Sequence, residues 1–148
     1  MTKNSWAEYI AILSKNLIHV LLNNMTIEEF VSKAEKQDSR NHFEPFFGDV
    51  SFVPEDIREL YVSANPVDVE IRTRKFGNVR FFPIEQIEDL KNEYSFMPND
   101  SFIFAITNGD PIFIEKTQYY ITCESRYIPE FISSSFSEFL DVLKMEGR

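Results

Sequence analysis

The feature that most constrains the fold is a run of strand and turn signals in residues 101–143. Mostly apolar residues occupy 101–107 and 111–115, and the pair Asn108-Gly109 stands between them. Asn and Gly reach positive φ at low cost, as the turn of a two-residue hairpin requires. The pattern therefore predicts a β-hairpin whose turn lies at this pair.

A third strand and a helix are predicted after this hairpin. The strand is expected at 118–123. Ser135 and Glu138 have the spacing of a capping box, in which the serine hydroxyl accepts from the backbone N–H three residues later. The apolar residues that follow recur at helical spacing and form one face: Phe136, Phe139, Leu140 and Leu143. We expect this helix to pack on the sheet.

Helices are also predicted upstream of the strands. Apolar residues spaced by three and four predict an amphipathic helix at 4–23. A capping box that begins at Thr26 predicts a second helix at 26–37. Pro54 suits the first turn of a third helix, which must end near Ala64 because a proline follows shortly afterwards.

The remaining signals predict an irregular segment, two strands and a short helix. Residues 42–53 mix aromatic residues with proline and glycine, and we expect no regular structure there. From Val67 onwards apolar and charged residues alternate, which is typical of a half-buried strand. Another strand is expected at 79–82, and Pro83 opens a short helix that interrupts the series of strands.

Helices and strands that are grouped rather than alternating favour an α+β fold. We expect N-terminal helices, a central antiparallel β-sheet meander with an inserted short helix, and a C-terminal helix packed on the sheet. A chain of 148 residues fits a single domain, 1–148. Its 43% apolar content and 15 Phe are enough for a substantial core.

The sequence points to the cytoplasm. No apolar run approaches the ~20 residues that span a bilayer. The first residues lack the basic start, the apolar stretch and the cleavage site of a signal peptide. The one cysteine, Cys123, cannot form an internal disulfide, in agreement with a reducing compartment. We expect no interaction with membranes.

The formal net charge of -9 restricts the classes of partner. An acidic surface repels phosphates, so binding to nucleic acid is disfavoured. The same surface would accelerate the encounter with a basic protein. The simpler alternative is that the acidic charge serves solubility alone.

No residue pattern predicts catalysis, a cofactor or a metal site. The two histidines, His19 and His42, belong to no H-E-x-x-H motif and have no cysteine pair beside them. Cys123 lacks a partnering base in the sequence pattern, and helix capping explains Ser135. We therefore expect no enzyme. An enzyme that uses Asp or Glu residues in a cleft remains an alternative, which converging carboxylates with shifted pKa values would support.

The order of these motifs resembles the SUKH superfamily, which includes yeast regulators of cell-wall glucan synthesis and bacterial immunity proteins that neutralise polymorphic toxins. The resemblance covers residues 50–143 and leaves 1–49 outside. The segments that carry it are the proline-initiated helix at 53–61 with Asn65 after it, the strand-to-helix step at 82–87, the paired strands at 102–113 and the closing helix at 135–140. Two departures are Pro66, where the family has glycine, and a glycine-rich turn reduced to Gly109.

The resemblance implies a non-catalytic domain that binds another protein and needs no cofactor. We favour an immunity protein that neutralises a toxin, with a basic toxin domain as the partner. The alternative is a scaffold similar to the regulators of glucan synthesis. We expect the contacts around the turn at 107–111 and in the variable segment 116–130. The candidate contact residues are Asp110, Glu115, Glu124 and Glu130.

Overall fold

The described part of the structure, a computed structural model, covers residues 24–147 and contains one seven-stranded antiparallel sheet. The helix predicted at 4–23 lies outside the described residues. Every strand pairs with its neighbour in sequence, so the sheet is a meander. The strands are β1 (His42–Glu44), β2 (Asn65–Thr73), β3 (Gly77–Phe81), β4 (Phe102–Thr107), β5 (Asp110–Glu115), β6 (Gln118–Cys123) and β7 (Arg126–Ser133).

Four α-helices accompany the sheet in the described residues and confirm the predicted α+β fold. They are α1 (Ile27–Gln37), α2 (Glu55–Ala64), α3 (Ile87–Glu93) and α4 (Phe136–Leu143). A 3-10 turn, Ile84–Gln86, leads into α3, which is the helix inserted between β3 and β4. The capping boxes predict the starts of α1 and α4 correctly, since Thr26 and Ser135 each accept from the backbone N–H three residues later.

The structure adds two strands to those that the sequence predicted. β1 lies within the segment 42–53, which was expected to be irregular. β7 begins inside the variable segment and forms one edge of the sheet. Its first six residues are all exposed, so it lacks the alternation of buried and exposed residues that identifies a strand in a sequence.

Aromatic rings join α4 to the middle of the sheet. The Phe139 ring lies 5.4 Å from that of Phe104 on β4 and 5.5 Å from that of Tyr119 on β6. Phe136 lies 6.4 Å from Phe104. The side chains of Phe104, Tyr119 and Phe139 are fully buried, and large buried rings of this kind dominate core energetics. The prediction that the C-terminal helix packs on the sheet is therefore confirmed.

The carboxylate of Asp56 connects three elements around this aromatic core. Asp56 lies in the first turn of α2, and its Oδ2 accepts from the Tyr119 hydroxyl at 2.7 Å. The same oxygen accepts from the backbone N–H of Phe136 at 2.6 Å, at the start of α4. One side chain thus satisfies a buried phenol and an unpaired amide at a helix N-terminus.

Buried amide side chains cover the edge of β2 beyond the end of β1. The Gln37 amide donates to the Arg72 carbonyl at 2.9 Å, and its oxygen accepts from the Arg72 N–H at 2.8 Å. The Asn41 oxygen accepts from the Glu70 N–H at 2.8 Å. These groups would otherwise be exposed on a free sheet edge, which could pair with another chain. The C-terminal segment closes the same edge, because Glu146 N–H donates to the Arg72 carbonyl at 3.0 Å.

Two hairpin turns differ in how well their residues suit the backbone. Asn108 and Gly109 have φ of 51° and 84°, which confirms the predicted turn between β4 and β5. Lys116 and Thr117 connect β5 to β6 with φ of 49° and 70°. A β-branched residue such as threonine is strained in this left-handed region, where asparagine and glycine are tolerated.

Removal of the Asp56 carboxylate should destabilise the fold. Asp56→Ala leaves the buried Tyr119 hydroxyl and the Phe136 N–H without their acceptor, so we expect the free energy of unfolding to fall by about 2–3 kcal/mol. Urea denaturation measures the change. Glu55→Ala is the matched control, because Glu55 is an exposed acidic residue in the same turn; its effect should stay within about 0.5 kcal/mol. Equal effects of the two substitutions would contradict the role of Asp56.

Relief of the strained turn should stabilise the protein. Lys116→Asn combined with Thr117→Gly places residues suited to positive φ at both positions, so we expect a gain of about 1–2 kcal/mol in the free energy of unfolding. Thermal and urea denaturation of the double variant test this expectation. An unchanged or lowered stability would show that the turn is not strained in this way.

Candidate functional site

Glu115 is held in place by an aromatic side chain on β7. The Tyr127 hydroxyl donates to Glu115 Oε2 at 2.6 Å. This hydrogen bond is the main reason why the pKa of Tyr127 rises to about 12, with burial and the charge of Glu115 adding to it. Tyr127 is 36% exposed, so the pair lies at the surface.

Tyr127 belongs to an aromatic cluster on the last three strands. Phe113 is buried, and its ring lies 5.6 Å from Tyr120 in a stacked arrangement and 6.1 Å from Tyr127. Tyr120 in turn meets Phe131 edge to face at 6.0 Å. Phe131 is 53% exposed. We call Tyr120, Tyr127 and Phe131, together with Glu115, the aromatic surface.

Asp110 and Glu124 meet where the turn at Asn108-Gly109 approaches the turn between β6 and β7. The backbone N–H of Glu124 donates to Asp110 Oδ1 at 3.0 Å. The Glu124 carboxylate lies against Gly109, where a Cβ atom would collide with its Oε2. Glycine suits position 109 because of its positive φ, and the absence of a Cβ atom leaves room for the Glu124 carboxylate. The Tyr94 hydroxyl donates to the Gly109 carbonyl at 2.6 Å, so a third element supports the turn.

Glu130 is separated from the aromatic surface by the alternation of strand residues. It lies opposite Ile121 on β6, whereas the next residue, Phe131, lies opposite Tyr120. Successive side chains of a strand point to opposite faces. The structure therefore brings Asp110 together with Glu124 and places Glu115 in the aromatic surface, while Glu130 is on the other face of β7.

The free edge of β7 is poorly suited to pairing with another strand. Thr122 accepts from the Ile128 N–H and donates to the Arg126 carbonyl, so the backbone groups of those two residues are directed towards β6. Pro129, the next residue, consequently faces away from β6 and offers no N–H to a further strand. Register shifts also interrupt the β6–β7 ladder. Proline and bulges are devices that protect an edge from strand addition, so β7 presents its side chains rather than its backbone.

Two features of the described residues concern the metal and cysteine chemistry considered above. Within 24–147 there is no group of three His, Cys, Asp or Glu side chains that could hold a metal ion. Cys123 is exposed, and its Sγ lies 3.5 Å from the Ser125 hydroxyl. A hydroxyl group is not a base that could activate the thiol. Hydrogen bonds from Ser125 lower the pKa of the Cys123 thiol. In the same part of the chain no helix has the length and apolar character needed to cross a membrane.

Comparison with models of protein families identifies the family of this chain. The model of the SMI1 / KNR4 family (SUKH-1) matches residues 51–142, more than half of the sequence. The chain belongs to this family. The match confirms the resemblance to the SUKH superfamily and extends from the loop before α2 into α4. No curated protein and no solved structure matches the chain.

The aromatic surface of this SUKH-1 protein was not predicted from the sequence. Asp110, Glu115, Glu124 and Glu130 were proposed as partner contacts, and all four lie within the matched region. The apolar residues beside them were not predicted as contacts: the partly buried Tyr120 and the exposed Tyr127, Ile128 and Phe131. An aromatic-rich segment around Pro129 was the available signal, but without alternation it did not indicate a strand.

The bond between Tyr127 and Glu115 should make part of the stability dependent on pH. The folded protein holds the phenolic proton more tightly than the unfolded chain does. The bond therefore stabilises the fold below the ordinary tyrosine pKa near 10, and this contribution is lost as pH rises towards about 12. NMR titration of the Tyr127 ring should give a pKa of about 12, and Glu115→Gln should lower it. A Tyr127 pKa that Glu115→Gln leaves unchanged would contradict the assignment.

Proposed function

We propose that this SUKH-1 protein is a non-catalytic intracellular domain that binds another protein, and that it is an immunity protein neutralising a toxin domain. The observation that carries the proposal is the aromatic surface. Tyr127 and Phe131 expose large rings beside the Glu115 carboxylate. Aromatic residues are enriched at protein interfaces and in their energetic hot spots, whereas scattered exposed apolar residues are ordinary.

The charge around this surface favours a basic partner. Asp110 and Glu115 lie at the two ends of β5, and Glu124 follows the end of β6. Arg126 is the one basic residue in β7. With a net charge of -9, long-range attraction would steer a basic protein to the domain. A toxin that acts on nucleic acid needs a basic surface of its own, so an acidic inhibitor would compete with its substrate.

Internal hydrogen bonds prepare the surface for binding. The Tyr127–Glu115 bond restricts both side chains, and the bond from Glu124 to Asp110 connects the two neighbouring turns. Side chains that are already ordered lose less conformational entropy when a partner binds. The protected edge of β7 favours docking through these side chains rather than through addition of a strand.

Loss of the exposed rings should weaken the complex with a toxin domain encoded beside this gene. We expect Tyr127→Ala with Phe131→Ala to raise the dissociation constant by about 30-fold, the effect of losing a hot spot. Isothermal titration calorimetry measures the constant, and survival on co-expression measures neutralisation. Phe47→Ala is the matched control, because Phe47 is 93% exposed and belongs to no strand.

The outcomes separate this function from its alternative. A complex with the adjacent toxin, weakened by the β7 variants but not by Phe47→Ala, would support the proposal. Absence of both complex and protection would overturn it. In that case, capture of partners involved in cell-wall synthesis by the wild-type protein, and not by the double variant, would support a scaffold of the glucan-regulator kind.

A further inference from the structure

A groove with an apolar floor lies between the loop before α2, the 3-10 turn with α3, and the start of β4. Its volume is about 550 Å³. Its apolar lining consists of Phe52, Pro54, Ile84, Ile87, Phe102 and Ile103. Phe52 is 55% exposed, so one wall of the groove is a large ring in contact with solvent. We call this site the Ser101 groove, after a buried polar residue in its lining.

Ser101 has an unsatisfied hydroxyl at this site. The residue is only 7% exposed, and its Oγ has no hydrogen-bond partner in the described part of the protein. A buried polar group without a partner costs about 1–3 kcal/mol, so native structures rarely retain one. Tyr61 has a similar orphan hydroxyl, but its ring is fully buried and does not line the groove. Because Ser101 lines the groove, a segment that enters and uncovers this buried hydroxyl would supply its missing hydrogen-bond partner.

Carboxylates form the rim of the Ser101 groove. Glu85, Glu88 and Asp100 line the groove together with one base, Lys91. An adjoining depression shares Pro54 and Asp100 with it and ends at the strained turn between β5 and β6. That depression adds Glu55, Asp56 and Lys116, so five exposed carboxylates face two lysines along the combined site.

We propose that the Ser101 groove binds an extended segment of a partner protein in which lysine or arginine stands next to apolar side chains. The apolar floor would receive the apolar side chains, and the rim would receive the cations. The Ser101 hydroxyl would bond to a polar group of the segment. A second copy of this chain does not fit, because its own charge of -9 would be repelled.

This inference rests on the proposed protein-binding role but not on the partner being a toxin. The groove and the aromatic surface are neighbours, since the depression reaches Lys116, which follows Glu115. Asp100 is also close enough to raise the pKa of Tyr127 by its charge. A partner could therefore occupy both sites, although each can be tested alone.

The test is an NMR titration of the wild-type protein with a short peptide that alternates lysine and leucine. We expect the largest amide shifts in the segments 84–91 and 99–103, which contain most of the residues that line the groove. A peptide with glutamate in place of lysine and a peptide with serine in place of leucine should both leave these amides unchanged. Spermidine is the fourth ligand, and it should not reproduce the shifts if the apolar floor contributes to binding.

Two variants with a matched control make the test specific. Glu88→Lys should weaken peptide binding by about five-fold, because it removes one partly exposed ion pair and adds repulsion. Asp89→Lys reverses a charge in the same turn of α3 outside the groove and should have a much smaller effect. Ser101→Ala should weaken binding by about five-fold while leaving the free energy of unfolding unchanged or raised, since the hydroxyl it removes is unpartnered.

The results separate this inference from the proposed function. Peptide shifts in the groove that respond to Glu88→Lys and Ser101→Ala support it, even if no toxin is bound. It is overturned if the peptide shifts only β7, if Glu88→Lys and Asp89→Lys behave alike, or if spermidine gives the same shifts. If a toxin complex depends on β7 and the peptide does not bind, the inference about the groove is overturned and the proposed function is not affected.

Discussion

The arrangement of the core depends on the Asp56 carboxylate. Residues 56, 119 and 136 are far apart in the sequence, yet a single oxygen accepts from the Tyr119 hydroxyl and from the first N–H of α4. The phenol is fully buried, and burial and this hydrogen bond both raise its pKa. Without the acceptor, α4 could not keep its N-terminus there without leaving a buried donor unpaired. The bond thus fixes where the starts of α2 and α4 meet the sheet.

Local signals predicted most of the fold because they act within a few residues. The Asn108-Gly109 turn, the capping box at Thr26 and the serine cap at Ser135 need only neighbouring residues to form, and all three are present. The buried amides were not predicted. Gln37 reads as a polar residue at the end of a helix, and only the folded chain shows that it satisfies both backbone groups of Arg72. Such pairings depend on packing between distant segments, which residue patterns do not contain.

The candidate site was predictable to a similar extent. Charge and position near a turn identified Asp110, Glu115 and Glu124 as candidate contact residues. They did not identify the rings that form the aromatic surface with Glu115. That association depends on the register of β6 and β7, where two irregularities shift the pairing. The same register places Glu130 opposite Ile121 and hence on the other face. A shift of one residue would exchange Glu130 and Phe131, so this distinction could not be made before the register was known.

The turn at Asn108-Gly109 and the turn at Lys116-Thr117 differ in how their residues contribute to stability. At Asn108-Gly109 the chain uses residues that suit positive φ, and the Glu124 carboxylate lies close to the glycine. At Lys116-Thr117 it retains a strained pair where asparagine and glycine would be more stable. That turn lies where the Ser101 groove meets the aromatic surface. Strain of this kind persists where surrounding structure compensates for it, and it concentrates at functional sites. Lys116 also places a positive charge in the depression lined by Glu55, Asp56 and Asp100, where it limits the mutual repulsion of these carboxylates. An Asn-Gly turn would therefore gain backbone stability at the cost of that charge.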